Sequence, residues 1–181
     1  MEHYLFEEFR VELKKGISKK GHPFRYFTLA TLGLQNDIGL RTVVLRKVSE
    51  DLTLSFYTDK RSKKIEELKS DQTVSALFYH PQKMLQIKVT GIAQFEDNDE
   101  VLNTFWNGIP QYARKDYTTQ KAPGTPLDEN RSISYLSEEN HFTIVHIIPQ
   151  QIEVLQLGKP NHTRVLFSKT KNGWHYQDLV P

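Results

Sequence analysis

Lys60, Arg61, Lys63 and Lys64 crowd one short stretch of this chain, with Ser62 among them and Thr58-Asp59 just before. Ile65 and Leu68 follow at helical spacing, which sets the cluster at the start of a helix. A helix N-terminus presents unpaired backbone N–H groups and the positive end of the macrodipole, and it favours Asp or Glu. Here the acids Glu66 and Glu67 come only after the lysines. Each misplaced cation costs roughly a few tenths of a kcal/mol. A bound anion, above all a phosphate, offsets that cost through the N–H groups, the Ser62 hydroxyl and the ammonium groups. A solvated basic turn accounts for the same residues with no ligand.

Other chemistry is less well supported. The seven histidines are scattered and none falls in a metal-ligand spacing. His141 and His146, five apart on a predicted strand, point to opposite faces, so no metal is expected there. There are no cysteines, which removes disulfides, thiolate metal sites and cysteine nucleophiles. No glycine-rich phosphate loop of the Walker or dinucleotide type is present. Arg41 and Arg46 bracket Val43-Val44-Leu45, and a regular strand would send them to opposite faces. Gln86 stands on an otherwise apolar strand; a hydrogen-bonded structural role fits it as well as a ligand contact.

The elements that must hold these residues are mostly strands. Tyr4, Leu5, Phe6, Phe9 and Leu13 mark an amphipathic helix over 3–15, within an N-terminal helical extension of about 1–20. Residues 24–34 and 41–46 form a predicted hairpin through the Asn36-Asp37-Ile38-Gly39 turn, which Leu52–Tyr57 extends into a meander. A helix over about 62–69 and strands at 73–79 and 84–95 follow, with Gly91 marking a bulge. A helix over 97–106 is expected to bury Val101, Leu102, Phe105 and Trp106, capped by Asp97 or Asn98. Residues 107–132 read as a flexible loop too polar for the core. Strands at 141–148, 152–156, 164–167 and 174–176 complete the chain, with a break at Pro149. About eight strands at hairpin spacing favour a mostly antiparallel barrel with peripheral helices over a parallel α/β sheet. The 181 residues suffice for one domain, 1–181. A net charge of +2 gives no reason to expect nucleic acid or membrane as partner. The charged N-terminus lacks an apolar signal core, and with the missing cysteines this suits a cytoplasmic protein.

In order and spacing, Arg41-Thr42-Val43-Val44-Leu45-Arg46, Phe56-Tyr57-Thr58-Asp59, Ser62-Lys63-Lys64 and Gln86 resemble the FMN-binding split-barrel proteins, most of all the pyridoxamine 5'-phosphate oxidase superfamily. The likeness resumes at Pro149–Glu153 and runs through Arg164 to Leu179-Val180-Pro181. It implies a mainly β, Greek-key-like split barrel. It further implies that Arg41, Ser62, Lys63 and Lys64 hold the FMN phosphate. Thr42, Val43, Val44, Leu45, Arg46, Tyr57, Thr58 and Gln86 would border the rest of the flavin. The resemblance also implies a homodimer with FMN at the interface, where the segment from Leu155 to Arg164 reaches the partner's flavin.

The same resemblance shows departures. The positions that grip the substrate phosphate in pyridoxamine phosphate oxidases match Phe105, Ile109 and Ala113. Leu155 replaces a stacking tryptophan, Arg46 replaces a lysine, and the substrate-contacting pair survives only loosely as Lys159 and His162. The flavin site is thus kept and the vitamin site altered. The expectation is an FMN-dependent oxidoreductase acting on an unidentified small molecule, with Arg46 and His162 the first residues to mutate in the search for catalytic groups. The alternative is a flavin- or haem-binding split barrel for storage, sensing or stress, without turnover.

Overall fold

The computed structural model describes residues 3–35, 37–127 and 129–181; Asn36 of the expected hairpin turn lies outside the described residues. Helix α1 (Tyr4–Ser18) opens the chain, with the His3 side chain accepting from the Leu5 N–H at its start. Its face of Leu5, Phe6, Phe9 and Leu13 is buried, and burial of such side chains is worth about 1.5–3 kcal/mol each. A short 3-10 turn, Pro23–Arg25, then leads into β1 (Tyr26–Leu32), where the sequence suggested a strand from residue 24.

Strands β2 (Ile38–Val48) and β3 (Leu54–Asp59) complete the meander. Helix α2 (Lys63–Ser70) follows, then β4 (Thr73–His80) and β5 (Leu85–Phe95). Helix α3 (Asp99–Gly108), capped by Asn98, precedes β6 (Phe142–Gln156), β7 (Thr163–Thr170) and β8 (Gly173–Leu179).

All pairings among these strands are antiparallel, in the order β3-β2-β1-β4-β5-β6-β7-β8, and β3 also pairs with β6. That extra pairing closes β1–β6 into a six-stranded barrel, and β7–β8 run on as a flap. Closure removes two sheet edges that would otherwise stay unpaired. Phe27, Leu29, Leu45, Phe56, Phe78, Ile87 and Val145 fill the barrel. Their alternation with outward residues is plain on β5, where Leu85, Ile87 and Val89 are buried and Gln86, Lys88 and Thr90 face out.

One strand corrects the sequence reading. Pro149 does not divide two strands; β6 is continuous for 15 residues. Its first half pairs with β3 and its second half with β7, and Pro149 sits between the two ladders, where its missing N–H costs no bond. On the β5 side, Gly91 faces Pro149 and Thr90 faces Gln151, so Gln150 is the extra residue of a bulge. A Cβ on Gly91 would lie 2.1 Å from the Ile148 carbonyl oxygen, which explains the glycine.

Two further expectations change. Val101, Leu102, Phe105 and Trp106 of α3 are only half-buried, because α3 packs on a small satellite cluster around Tyr117, Phe142 and Ile144. Residues 107–132 contain a 3-10 helix at Gln111–Tyr117 whose Tyr117 is buried, and Thr119 bridges to Tyr135. Arg61 anchors this segment by donating to the carbonyls of Thr119 and Gln120, at 2.8 and 3.0 Å. Among the described residues no helix is long and apolar enough to cross a membrane.

Candidate functional site

The cations that open α2 have different fates. The Arg61 guanidinium donates to both oxygens of buried Asp59, which neutralises it inside the protein. The Lys63 side chain is 65% exposed and lies 3.7 Å from Asp37 and 3.8 Å from Glu67. Lys64 is half-buried and donates to the hydroxyls of Thr58 and Ser62, each at 3.0 Å. It makes no ion pair among the described residues, and its pKa is pushed down, first by burial and then by the Arg41 charge. Ser62 occupies the N-cap position, yet its hydroxyl donates to the Asp59 carbonyl at 2.8 Å and caps no backbone N–H. A desolvated ammonium, two hydroxyls and an uncapped helix start therefore converge. The ammonium and the helix-start N–H groups are the donors that fit a phosphate, the Ser62 proton being already given to the Asp59 carbonyl.

Arg41 is held from behind. It donates to the Thr31 hydroxyl, to the Gly39 carbonyl at 3.1 Å and to Glu67 Oε2 at 2.6 Å. Glu67 is fully buried, so removing Arg41 would strand a carboxylate, a loss on the order of 3–5 kcal/mol. Gly39 makes room for this pair: a Cβ there would fall 2.3 Å from the Arg41 guanidinium.

Arg41, Thr42, Val43, Val44 and Arg46 of β2 line one cavity of about 350 Å³ with Tyr57, Thr58 and Asp59 of β3, Lys64 of α2, and Asp116, Tyr117 and Pro123. Simple alternation would have separated Arg41 from Arg46. Instead Leu45 pairs with Phe56 and Lys47 with Ser55, leaving Arg46 as an unpaired bulge residue. The bulge interrupts the alternation, and both arginines border the same space. The Arg46 guanidinium lies 5.1 Å from the Tyr57 ring centroid, and its Nε is buried with no hydrogen-bond partner. Burial pushes the Tyr57 and Tyr117 hydroxyls to higher pKa, against the pull of the Arg46 charge, so both stay protonated donors at neutral pH.

A second cavity of about 620 Å³ adjoins the first and shares Arg46, Tyr57 and Tyr117 with it. Leu45 lines it, as do Phe105, Ile109 and Ala113, the three positions at which the resemblance marked a lost phosphate clamp.

Within one chain the remaining expected residues lie elsewhere. Gln86 faces Leu155 and Leu155 faces Arg164 across β5, β6 and β7, a row on the outer face of the sheet that borders neither cavity. Arg164 pairs there with Glu153 at 2.6 Å. His162 is exposed in the β6–β7 connection and accepts from the Gly158 N–H at 3.1 Å.

Two clusters escaped the sequence because strand pairing and helix docking create them. Glu12, His22 and His80 come within 4.8 Å of one another in the interior. Both rings accept a backbone N–H at Nδ1, from Phe24 and Lys83, which leaves each Nε2 as the protonated donor facing Glu12. Lys15 and Lys83 also bond Glu12. A metal would need the opposite tautomer, with Nδ1–H donating outward, so the cluster is a hydrogen-bonded knot tying α1 to β4. Ser55 Oγ lies 2.8 Å from His146 Nδ1, and His146 Nε2 lies 3.2 Å from Glu96. Ser55 is buried and borders neither cavity, so this row fastens the β3–β6 seam.

Comparisons with known proteins bear on the same residues. A pyridoxine/pyridoxamine 5'-phosphate oxidase of Dichelobacter nodosus is 28% identical over 189 aligned positions, covering 96% of this chain and 85% of that protein. A pyridoxamine 5'-phosphate oxidase-related, FMN-binding protein from Nostoc punctiforme shares the fold with a TM-score of 0.79 at 22% identity, over 100% of both chains. PhzG from Burkholderia lata, solved with tetrahydrophenazine-1-carboxylic acid, shares it at 0.77 and 17% identity, over 98% of this chain and 91% of that one. The family model described as pyridoxamine 5'-phosphate oxidase, FMN-binding domain, matches residues 6–97, the segment that carries Arg41, Arg46, Tyr57, Lys64 and Gln86. This chain belongs to the pyridoxamine 5'-phosphate oxidase FMN-binding domain family.

Proposed function

We propose that this protein is an FMN-dependent oxidoreductase that works on a small molecule as a cytoplasmic homodimer. The observation that carries the reading is the corner where Lys64 and Thr58 line the smaller cavity, next to Ser62: a half-buried ammonium with two hydroxyl partners and no ion pair among the described residues, beside an uncapped helix start. The phosphate of FMN fits that donor set. Arg41, fixed in place by Glu67, borders the same cavity from the β2 side. Thr42, Val43 and Val44 offer backbone and small side chains along the wall, and the unpartnered Arg46 Nε supplies a donor to a polar edge of the ligand. FMN supplies the hydride chemistry, and this chain supplies position and electrostatics. Tyr57 and Tyr117, held protonated, close the wall between the two cavities and exclude water from it.

Dimerisation accounts for residues left apart in one chain. Ile38 and Leu40 on β2 are 67% and 65% exposed, and Tyr26, Leu77 and Tyr79 on neighbouring strands are also exposed. An apolar face of this kind marks an interaction surface. Tyr79 pairs with Gln86, in the same row as Leu155 and Arg164. A second copy seated on this face would bring those three residues toward its partner's flavin. The substrate is not pyridoxamine phosphate in this reading, since Phe105, Ile109 and Ala113 present no donors for a second phosphate.

The test is an absorbance spectrum of the purified protein after FMN is added and the excess removed, followed by oxidase assays. Retained flavin bands with no turnover of pyridoxamine phosphate are expected. Failure to retain flavin refutes the reading, and a haem-like band replaces it with a haem-binding role.

A further inference from the structure

The larger cavity contains two guanidinium groups that form no ion pair among the described residues. Arg46 enters from the β2 bulge with Nε buried and unpartnered. Arg25 enters from the 3-10 turn before β1, where it is half-buried. The register explains their meeting: Tyr26 lies opposite Val44, so the start of β1 and the bulge share one end of the sheet. The facing wall is apolar, with Phe105, Ile109 and Ala113. Cations partly removed from water against apolar walls are unfavourable unless an anion meets them. A carboxylate has two oxygens, which a guanidinium fork matches, and one charge. Beyond these two cations the lining offers only the hydroxyls of Tyr57, Thr104, Tyr112 and Tyr117 as side-chain donors.

We propose that this cavity binds a flat, ring-containing carboxylate, its anionic end on Arg25 and Arg46 and its ring against Phe105 and Tyr57. The assignment deepens the flavin reading, because Arg46 and Tyr57 also border the smaller cavity; it names the substrate class and does not depend on which reaction the flavin performs. Arg25 borders only the larger cavity, which makes it the specificity-determining residue to test.

The experiment is calorimetric titration with naphthoate, neutral naphthamide and naphthyl phosphate, on protein with and without saturating FMN, with FMN titrated separately. Naphthoate should bind at least about 10-fold more tightly than either analogue, the scale of one charge-assisted hydrogen bond. Arg25→Gln should remove most of the preference over naphthamide, weakening naphthoate by about 10- to 100-fold. Its unchanged affinity for naphthamide would show that the cavity still forms. Equal binding of naphthamide, tighter binding of naphthyl phosphate, or an Arg25→Gln variant that keeps the preference would overturn the proposal. If FMN binds and naphthoate does not in either form, this assignment fails alone. If naphthoate binds as expected and FMN does not, the flavin reading fails and the carboxylate site stands.

Discussion

Lys63 and Lys64 are adjacent in sequence and opposite in circumstance, which makes them a matched pair for testing the phosphate corner. Lys64→Met keeps the aliphatic stem that packs in the cavity wall and removes the ammonium, with its bonds to Ser62 and Thr58. A charge-assisted hydrogen bond is worth about 1.5–3 kcal/mol, so the variant should bind FMN about 10- to 100-fold more weakly. Lys63→Met removes a cation that is 65% exposed and already near two carboxylates. Exposed pairs of this kind contribute about 0.2–1 kcal/mol, so its effect should stay below about fivefold. Fluorescence titration with FMN and with riboflavin, which lacks the phosphate, isolates the contact. Lys64→Met should weaken FMN and spare riboflavin. Burial, and after it the Arg41 charge, holds the Lys64 pKa below its ordinary value, so the protonated group opposes folding of the flavin-free protein. That opposition is present while both folded and unfolded forms are protonated and fades as pH rises through the lowered folded-state pKa toward the unfolded value. The variant without flavin should therefore unfold at the same or a higher urea concentration than the parent. Equal losses for the two lysines, or parallel losses of FMN and riboflavin, would refute the reasoning.

Glu12 offers a pH prediction: burial raises its pKa, but hydrogen bonds from Lys15, Lys83 and His22 outweigh burial and hold it at about 2, against an ordinary 4.5. A lowered carboxylate pKa stabilises the fold above the unfolded value, so about 3 kcal/mol should be lost as pH falls from about 4.5 toward 2, and urea titrations of Glu12→Gln should lack that slope. Gly91→Ala should destabilise by about 1–3 kcal/mol or more by urea unfolding, because its Cβ meets the Ile148 carbonyl at 2.1 Å; a neutral result would mean the bulge can open freely. Leu40→Asp places a charge on the exposed apolar face of β2 and should yield monomers in sedimentation together with weaker FMN binding; a dimer that persists would locate the interface elsewhere.

What the sequence disclosed depended on range. The out-facing Gln86, Lys88 and Thr90 could be read because strand alternation is local, and the start of α2 could be read because helix periodicity and end polarity are local. Arg46 could not be placed by the same rule, because the bulge is defined by the partner strand: only the pairing of Leu45 with Phe56 and Lys47 with Ser55 reveals an extra residue. Pro149 misled for a related reason. Proline usually breaks a ladder, but here the strand changes neighbours at that position, so the ladder loses nothing. The identity of the cation that serves the phosphate was also hidden. Lys60, Arg61, Lys63 and Lys64 looked equivalent in sequence; the fold pairs Arg61 with Asp59, sets Lys63 near Asp37 and Glu67, leaves Lys60 exposed, and half-buries Lys64 with no ion pair among the described residues. Glu67 is the informative case. On a helix of alternating charges it reads as a solvated acid, yet it is fully buried and braces Arg41 from 26 residues away. The unsatisfied charge that marks the site is therefore a property of contacts between elements. A basic run in a sequence says that an anion could be held; which lysine is drawn out of water without an ion pair says where.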